Sequence, residues 1–264
     1  MPQRKIIPFA EYTISSHTEY YTAPSWLPGG NLQTLYPYFK KPAQQFTYRR
    51  ERWELDDGDF IDIDWSDGSS ESPLMVFFHG LEGDSSSHYI LSMINNLQRY
   101  QWRCAVIHFR GCSGEPNRLS RAYHAGDSTE IDWMLRRIIN QAKTTESEQP
   151  VYVMGVSLGG NALLKWLGER GEHAQELISG AATVSVPLDL AAAGAALDKG
   201  FNQVYTRHFL DTLKEKAFDK LQQFPGLFDI QALKKCASIY DFDNIVTAPL
   251  HGFRDTDDYW RRAS

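Results

Sequence analysis

The rhythm of apolar positions changes near residue 70. Before it, 46-FTYRRERWELDDGDFIDIDW-65 alternates apolar and polar residues on both sides of Asp57-Gly58, the signature of a β-hairpin. After it, solidly apolar bursts recur at 74-LMVFFH-79, 104-CAVIHF-109, 151-VYVM-154 and 180-GAATVSV-186. Unbroken hydrophobicity over such short runs suits strands buried on both faces. Helical periodicity fills the intervals. Ile90, Met93, Ile94 and Leu97 share one helical face. In 127-DSTEIDWMLRRII-139, Asp127 and Glu130 precede Ile131, Met134, Leu135 and Ile138, which predicts a capped amphipathic helix. Further helices are predicted over 191–197, 206–224 and 233–240, and no buried-strand burst follows residue 186.

Strand, helix, strand, helix in this order predicts an α/β fold: a mostly parallel sheet with crossovers on both faces. No linker or repeat divides the chain, so one domain is expected over 1–264. Its parts are an irregular, proline-rich N-terminal arm (1–45), a sheet core (46–188) and a helical cap region (189–262).

Composition narrows the function classes. The net charge is −6 and no Lys/Arg block occurs, which argues against nucleic acid or an anionic membrane surface as partner. The start, MPQRKIIPFAEYTISSH, lacks the apolar core of a signal peptide. The most apolar region, 181-AATVSVPLDLAAAGAAL-197, is interrupted by Pro187 and Asp189, so no membrane-spanning segment is expected. Three cysteines without a CxxC read as free thiols, and the cytoplasm is the expected compartment. Histidine spacing offers no metal motif.

The chemistry concentrates in 151-VYVMGVSLGGNALLKWLGE-169. Gly155-Val156-Ser157-Leu158-Gly159 fits G-x-S-x-G, with a strand before it and a helix after it. At such a bend the strand and helix pass closely two residues either side of the serine, where a side chain would collide. The bend lifts the Ser157 hydroxyl clear of the sheet and points a helix N-terminus at charge developing beside it. Gly155 and Gly160 also have P-loop spacing, but Asn161-Ala162 stands where Lys and Ser/Thr are needed. A second piece, 79-HGLEG-83, follows the first buried strand, where Gly80 opens the turn that supplies the other oxyanion donor. The expected donors are the backbone N–H groups of Leu81 and Leu158.

These pieces, together with 26-WLPGGNLQTLYP-37, 109-FRGCSGEPNR-118, 123-YHAGDSTE-130, 185-SVPLDL-190 and 239-IYDFDNIVTAPLHGF-253, resemble the YheT family of α/β-hydrolases, akin to the abhydrolase-domain esterases. The resemblance implies a serine carboxylic ester hydrolase of carboxylesterase or acylglycerol-lipase type, acting on short to medium acyl esters without metal or organic cofactor. The implied partner is a small-molecule acyl ester.

In this fold the triad runs Ser, then Asp/Glu, then His. After Ser157 only His173, His208 and His251 remain; His251, with Asp241 or Asp243 as orienting acid, is the internal stand-in. The family places its acid and base after later strands, whereas this sequence stops at 258-DYWRRAS-264. The expectation is therefore a C-terminally truncated chain lacking the last strands, the triad acid and the histidine, with the 180–186 strand left as an exposed apolar edge. The alternative function is an impaired hydrolase scaffold that binds acyl ligands or partners.

Overall fold

The computed structural model describes residues 22–143 and 149–264. The chain forms two compact units, Met1–Lys41 and Pro42–Ser264. In the first, helix α1 (Gly30–Phe39) carries Pro37 in its last turns and buries none of its residues. The proline-rich arm is thus not wholly irregular. The remainder of the predicted arm up to Tyr21 lies outside the described residues.

The second unit is built on one six-stranded sheet in the order β1-β2-β4-β3-β5-β6. Strands β1 (Arg49–Glu54) and β2 (Phe60–Ser66) form the hairpin, and its turn closes through Gly58 N–H to the Leu55 carbonyl, 3.0 Å. β2 runs antiparallel to β4 (Arg103–Ile107). From there β4, β3 (Leu74–Phe78), β5 (Val151–Val156) and β6 (Gly180–Val184) are all parallel.

Alternation explains why the central bursts are apolar throughout. Val76, Phe78, Ala105 and Ile107 point to one face, where Ile131, Met134, Leu135 and Ile138 of α3 (Ser128–Lys143) and Leu163 and Trp166 of α4 (Leu158–Arg170) cover them. Phe77, Cys104 and Val106 point to the other, under Ile90 and Ile94 of α2 (His88–Gln98). The 180–186 burst is not buried on both faces as its composition suggests, but stands at an exposed edge, as expected where no later strand covers it. β6 is the sheet edge, and Ala181, Ala182 and Val184 are exposed, because β5 is its one neighbour among the described residues. Asp127 also differs from the expected cap: both its carboxylate oxygens accept from Arg121 Nη2 at 2.8 Å.

The cap follows. α5 (Leu190–Leu197) and α6 (Gln203–Gln223) lead into the predicted 233–240 helix, which is divided. α7 (Ile230–Lys235) stops before Cys236, whose ψ of 127° leaves helical space. Ser238 and Asp241 then make a capping box that starts α8 (Ile239–Phe242). α8 runs through a π-turn (Asp243–Thr247) into α9 (Ala248–Leu250), and α10 (Thr256–Ala263) follows. Leu210, Ala217, Phe228, Leu233, Phe242 and Val246 give the cap its own apolar core. No helix of the described residues is long and apolar enough to cross a membrane.

Candidate active site

Ser157 sits where β5 turns into α4, with φ 51° and ψ −120°, a left-handed backbone that an L residue adopts only when its surroundings enforce it. Two contacts enforce it. The Ser157 N–H donates to the Val184 carbonyl at 2.8 Å, and the Ser157 carbonyl accepts the first helical bond from Asn161 N–H at 3.0 Å. The glycines on either side are sterically required. A Cβ on Gly159 would lie 2.3 Å from the His79 carbonyl oxygen, and one on Gly155 would lie 2.6 Å from Gly160 Cα.

The Gly80–Gly83 turn abuts this bend: a Cβ on Gly80 would come within 3.3 Å of Ser157 Cβ. Gly83 N–H closes the turn on the Gly80 carbonyl at 3.0 Å, and Gly80 N–H is held by the Tyr89 hydroxyl at 2.9 Å. Neither Leu81 N–H nor Leu158 N–H donates to a protein acceptor among the described residues. Leu158 is the first residue of α4, so its N–H belongs to the positive end of that helix. His79 serves the scaffold. Its Nε2 accepts from Phe109 N–H at 3.1 Å, which leaves Nδ1 to donate to the Gly80 carbonyl at 2.8 Å. Burial holds this imidazole down at about 3, hence neutral.

Ser157, Leu81 and Leu158 all line a cavity of about 560 Å³ between the sheet core and the cap. Its cap side is mostly apolar, with Leu190, Leu197, Phe209, Leu213, Val246 and Trp260, but it also carries Glu215, Lys216, Asp219 and Lys220 of α6. Its core side is mixed and includes Glu82, Arg110, Cys112 and Tyr123. Burial pushes the Cys112 thiol up to about 11, so it is not a thiolate at neutral pH. No group of three His, Cys, Asp or Glu among the described residues is placed to hold a metal ion.

The internal stand-ins for acid and base do not come together. Asp243 lines the cavity, but its carboxyl accepts from Thr247 Oγ1 (2.6 Å) and Trp260 Nε1 (2.7 Å), and burial pushes it up to about 6. Asp241 is used in the α8 cap. His251 packs against the His124 ring at 4.4 Å between centroids; its buried Nε2 has no hydrogen-bond partner, and burial holds it down at about 3. An imidazole that acidic accepts a proton poorly near neutral pH. His173 is exposed and paired with Glu176, 2.9 Å, and His208 lies on an exposed face of α6. The Ser157 hydroxyl itself has no hydrogen-bond partner among the described residues.

Sequence reasoning missed Glu82, Tyr123 and Lys216, which meet beside the Gly80–Gly83 turn. Glu82 stood in view within HGLEG, but its partners come from a distant loop and from α6.

Residues 73–233 match the model of the alpha/beta hydrolase fold family. "Putative esterase YheT" of Escherichia coli (strain K12) is 36% identical over 97% of this chain and 76% of its own length. "Phospholipase ABHD3" of Homo sapiens is 30% identical over 94% of this chain. The "Monoacylglycerol lipase" of Saccharomyces cerevisiae is 26% identical over 73%. The chain spans 61% of the human relative and 43% of the yeast one. Sequence, sheet and bend agree, and the chain belongs to the α/β-hydrolase fold family, within its YheT group.

Proposed function

We propose that this protein is a serine carboxylic ester hydrolase acting on small acyl esters, with Ser157 as nucleophile. The observation that carries the reading is the left-handed Ser157 at the mouth of α4, beside two backbone N–H groups without acceptors among the described residues, inside a cavity whose lining is mostly apolar. The hydroxyl oxygen attacks the acyl carbonyl, and the new oxyanion is received by Leu81 N–H and Leu158 N–H. The proton that Ser157 gives up passes to the departing alkoxide, which leaves as the alcohol; water then adds to the acyl carbon, returns a proton to the Ser157 oxygen and releases the carboxylic acid. The relatives' names, a putative esterase, a phospholipase and a monoacylglycerol lipase, all denote ester hydrolases and support that broader class. The mostly apolar lining supports an acyl chain as part of the substrate, and the short to medium length is what the family resemblance implies. The three unbridged, buried cysteines support a reducing compartment such as the cytoplasm.

A second reading, an acyl-binding protein on a hydrolase scaffold, is favoured by one observation: no imidazole pairs with the Ser157 hydroxyl among the described residues. A fluorophosphonate probe separates the two. Labelling of Ser157 in the 264-residue chain, lost in Ser157→Ala, together with hydrolysis of p-nitrophenyl butyrate, supports the enzyme. A folded chain that binds a fatty acid yet leaves the probe untouched supports the scaffold.

A further inference from the structure

The Gly80–Gly83 turn has an unusual third residue. Glu82 has φ 55°, in the left-handed region where turns of this kind favour glycine. The sequence keeps a glutamate there, and every polar atom of it beyond the carbonyl is engaged. Its N–H donates to the Tyr123 hydroxyl at 2.9 Å, and that hydroxyl donates to Glu82 Oε1 at 2.8 Å. Its other carboxylate oxygen pairs with Lys216 Nζ of α6 at 2.9 Å, and the Glu82 side chain is only 6% exposed. Tyr123 is itself fixed, stacked on Phe109 at 5.1 Å and 6° between planes. Lys216 Nζ makes a second contact with the core side, 3.4 Å from Cys112 Sγ.

We infer that Glu82 is a positioning residue for the Leu81 N–H, and that its ion pair with Lys216 couples the shape of this turn to the seating of the cap. The inference rests on the oxyanion role proposed for Leu81. Leu81 lies between Gly80, pinned by Tyr89, and Glu82, pinned by Tyr123 and Lys216. Without those pins an L residue at position 82 relaxes toward the right-handed region and turns over the Leu81–Glu82 peptide, next to the donor. Lys216 is the pin that comes from the cap. When α6 lifts to admit substrate, Glu82 loses its counter-ion and the turn loosens; when α6 settles, the donor is restored. The site is then assembled only under a seated cap.

Two measurements on the 264-residue chain test this. With p-nitrophenyl butyrate, Glu82→Gln and Lys216→Met each lower kcat about tenfold with KM within about twofold, below the roughly 100- to 1,000-fold loss expected for removing an oxyanion donor outright. Lys216→Arg, which keeps the charge, restores turnover. Glu82→Gly is the discriminating variant. It relieves the left-handed backbone, which offsets part of the loss of the Lys216 and Tyr123 contacts, yet it also lowers kcat. The second measurement is hydrogen exchange at residues 79–87, which needs no turnover. The bonded amides of Gly80, Glu82 and Gly83 exchange faster in Lys216→Met, although the substitution lies on α6. Parental kcat in Glu82→Gly and Lys216→Met, or exchange in Lys216→Met altered on α6 alone, overturns the inference. Failure of the Ser157 reading looks different: ester turnover persists in Ser157→Ala, and the exchange result stands by itself.

Discussion

At the scale of single residues, the bend around Ser157 is a steric construction, and its tolerance is small. A methyl on Gly159 would press into the His79 carbonyl at 2.3 Å, and backbone cannot yield as a flexible side chain does. Gly159→Ala is therefore expected to lower stability by roughly 1–3 kcal/mol, the usual cost of overpacking, and to suppress fluorophosphonate labelling with it. Urea denaturation measures the first effect and probe kinetics the second. Asp243 gives a residue-scale prediction about pH. Its folded carboxyl is raised to about 6 by burial, so the folded state holds a proton that the unfolded state has already released. That stabilisation is fully present below the unfolded pKa near 3.8 and is lost as pH rises through about 6. The difference spans about 3 kcal/mol by linkage. His79, depressed to about 3, acts in the opposite direction over part of this range. The informative quantity is thus the difference between the parent and Asp243→Asn, whose amide can still bond Thr247 and Trp260. Relative to the variant, the parent should lose stability from pH 4 to pH 7 in denaturant titrations. A constant difference would mean that Asp243 keeps an ordinary carboxylate pKa.

At the scale of elements, what was legible in the sequence follows the range of the interactions. The elbow is local. Strand, glycine, serine, glycine and helix all lie within one stretch, so the pattern and the strain it produces can be read together. The capping box that divides α7 from α8 is also local, written as 238-SIYD-241, but continuous helical periodicity across it hides the break. The Glu82–Lys216 pair joins a turn to a helix far along the chain, and no spacing announces it. The edge position of β6 is not written in its own residues; it was expected only from the lack of a buried-strand burst after residue 186. A run of Gly, Ala, Thr and Val reads the same whether a neighbour covers it or not, because exposure depends on who pairs with it. In the 264-residue chain, the exposed Ala181, Ala182 and Val184 on an unpaired edge predict self-association at high concentration. Val184→Lys should reduce light scattering at unchanged melting temperature. Equal scattering would mean that this edge is not the sticky surface.

At the scale of the whole molecule, the cavity floor depends on one buried cation. Arg110 bonds Asp59 at 2.9 Å, Asp57 at 2.8 Å and Glu130 at 2.6 Å, joining the hairpin turn, the loop after β4 and helix α3. Asp59 is fully buried, and although Asn117 and the N–H groups of Phe60 and Arg118 still bond it, loss of the guanidinium removes its buried counter-ion. Arg110→Met is expected to cost about 3–5 kcal/mol, as for other broken buried pairs, a large share of the stability of an ordinary domain. Chemical denaturation measures it, and a loss under about 1 kcal/mol would show that water reaches these carboxylates readily.

The Ser157 N–H bond to the Val184 carbonyl has its own consequence. It is the final rung of the ladder between β5 and the outermost strand, the part of a sheet that opens most easily. The bend that presents the hydroxyl thus borrows its rigidity from a border. A strand laid along that border would stiffen a centre it never touches, and fraying there would let the serine slip into a relaxed backbone while the fold around it stays intact.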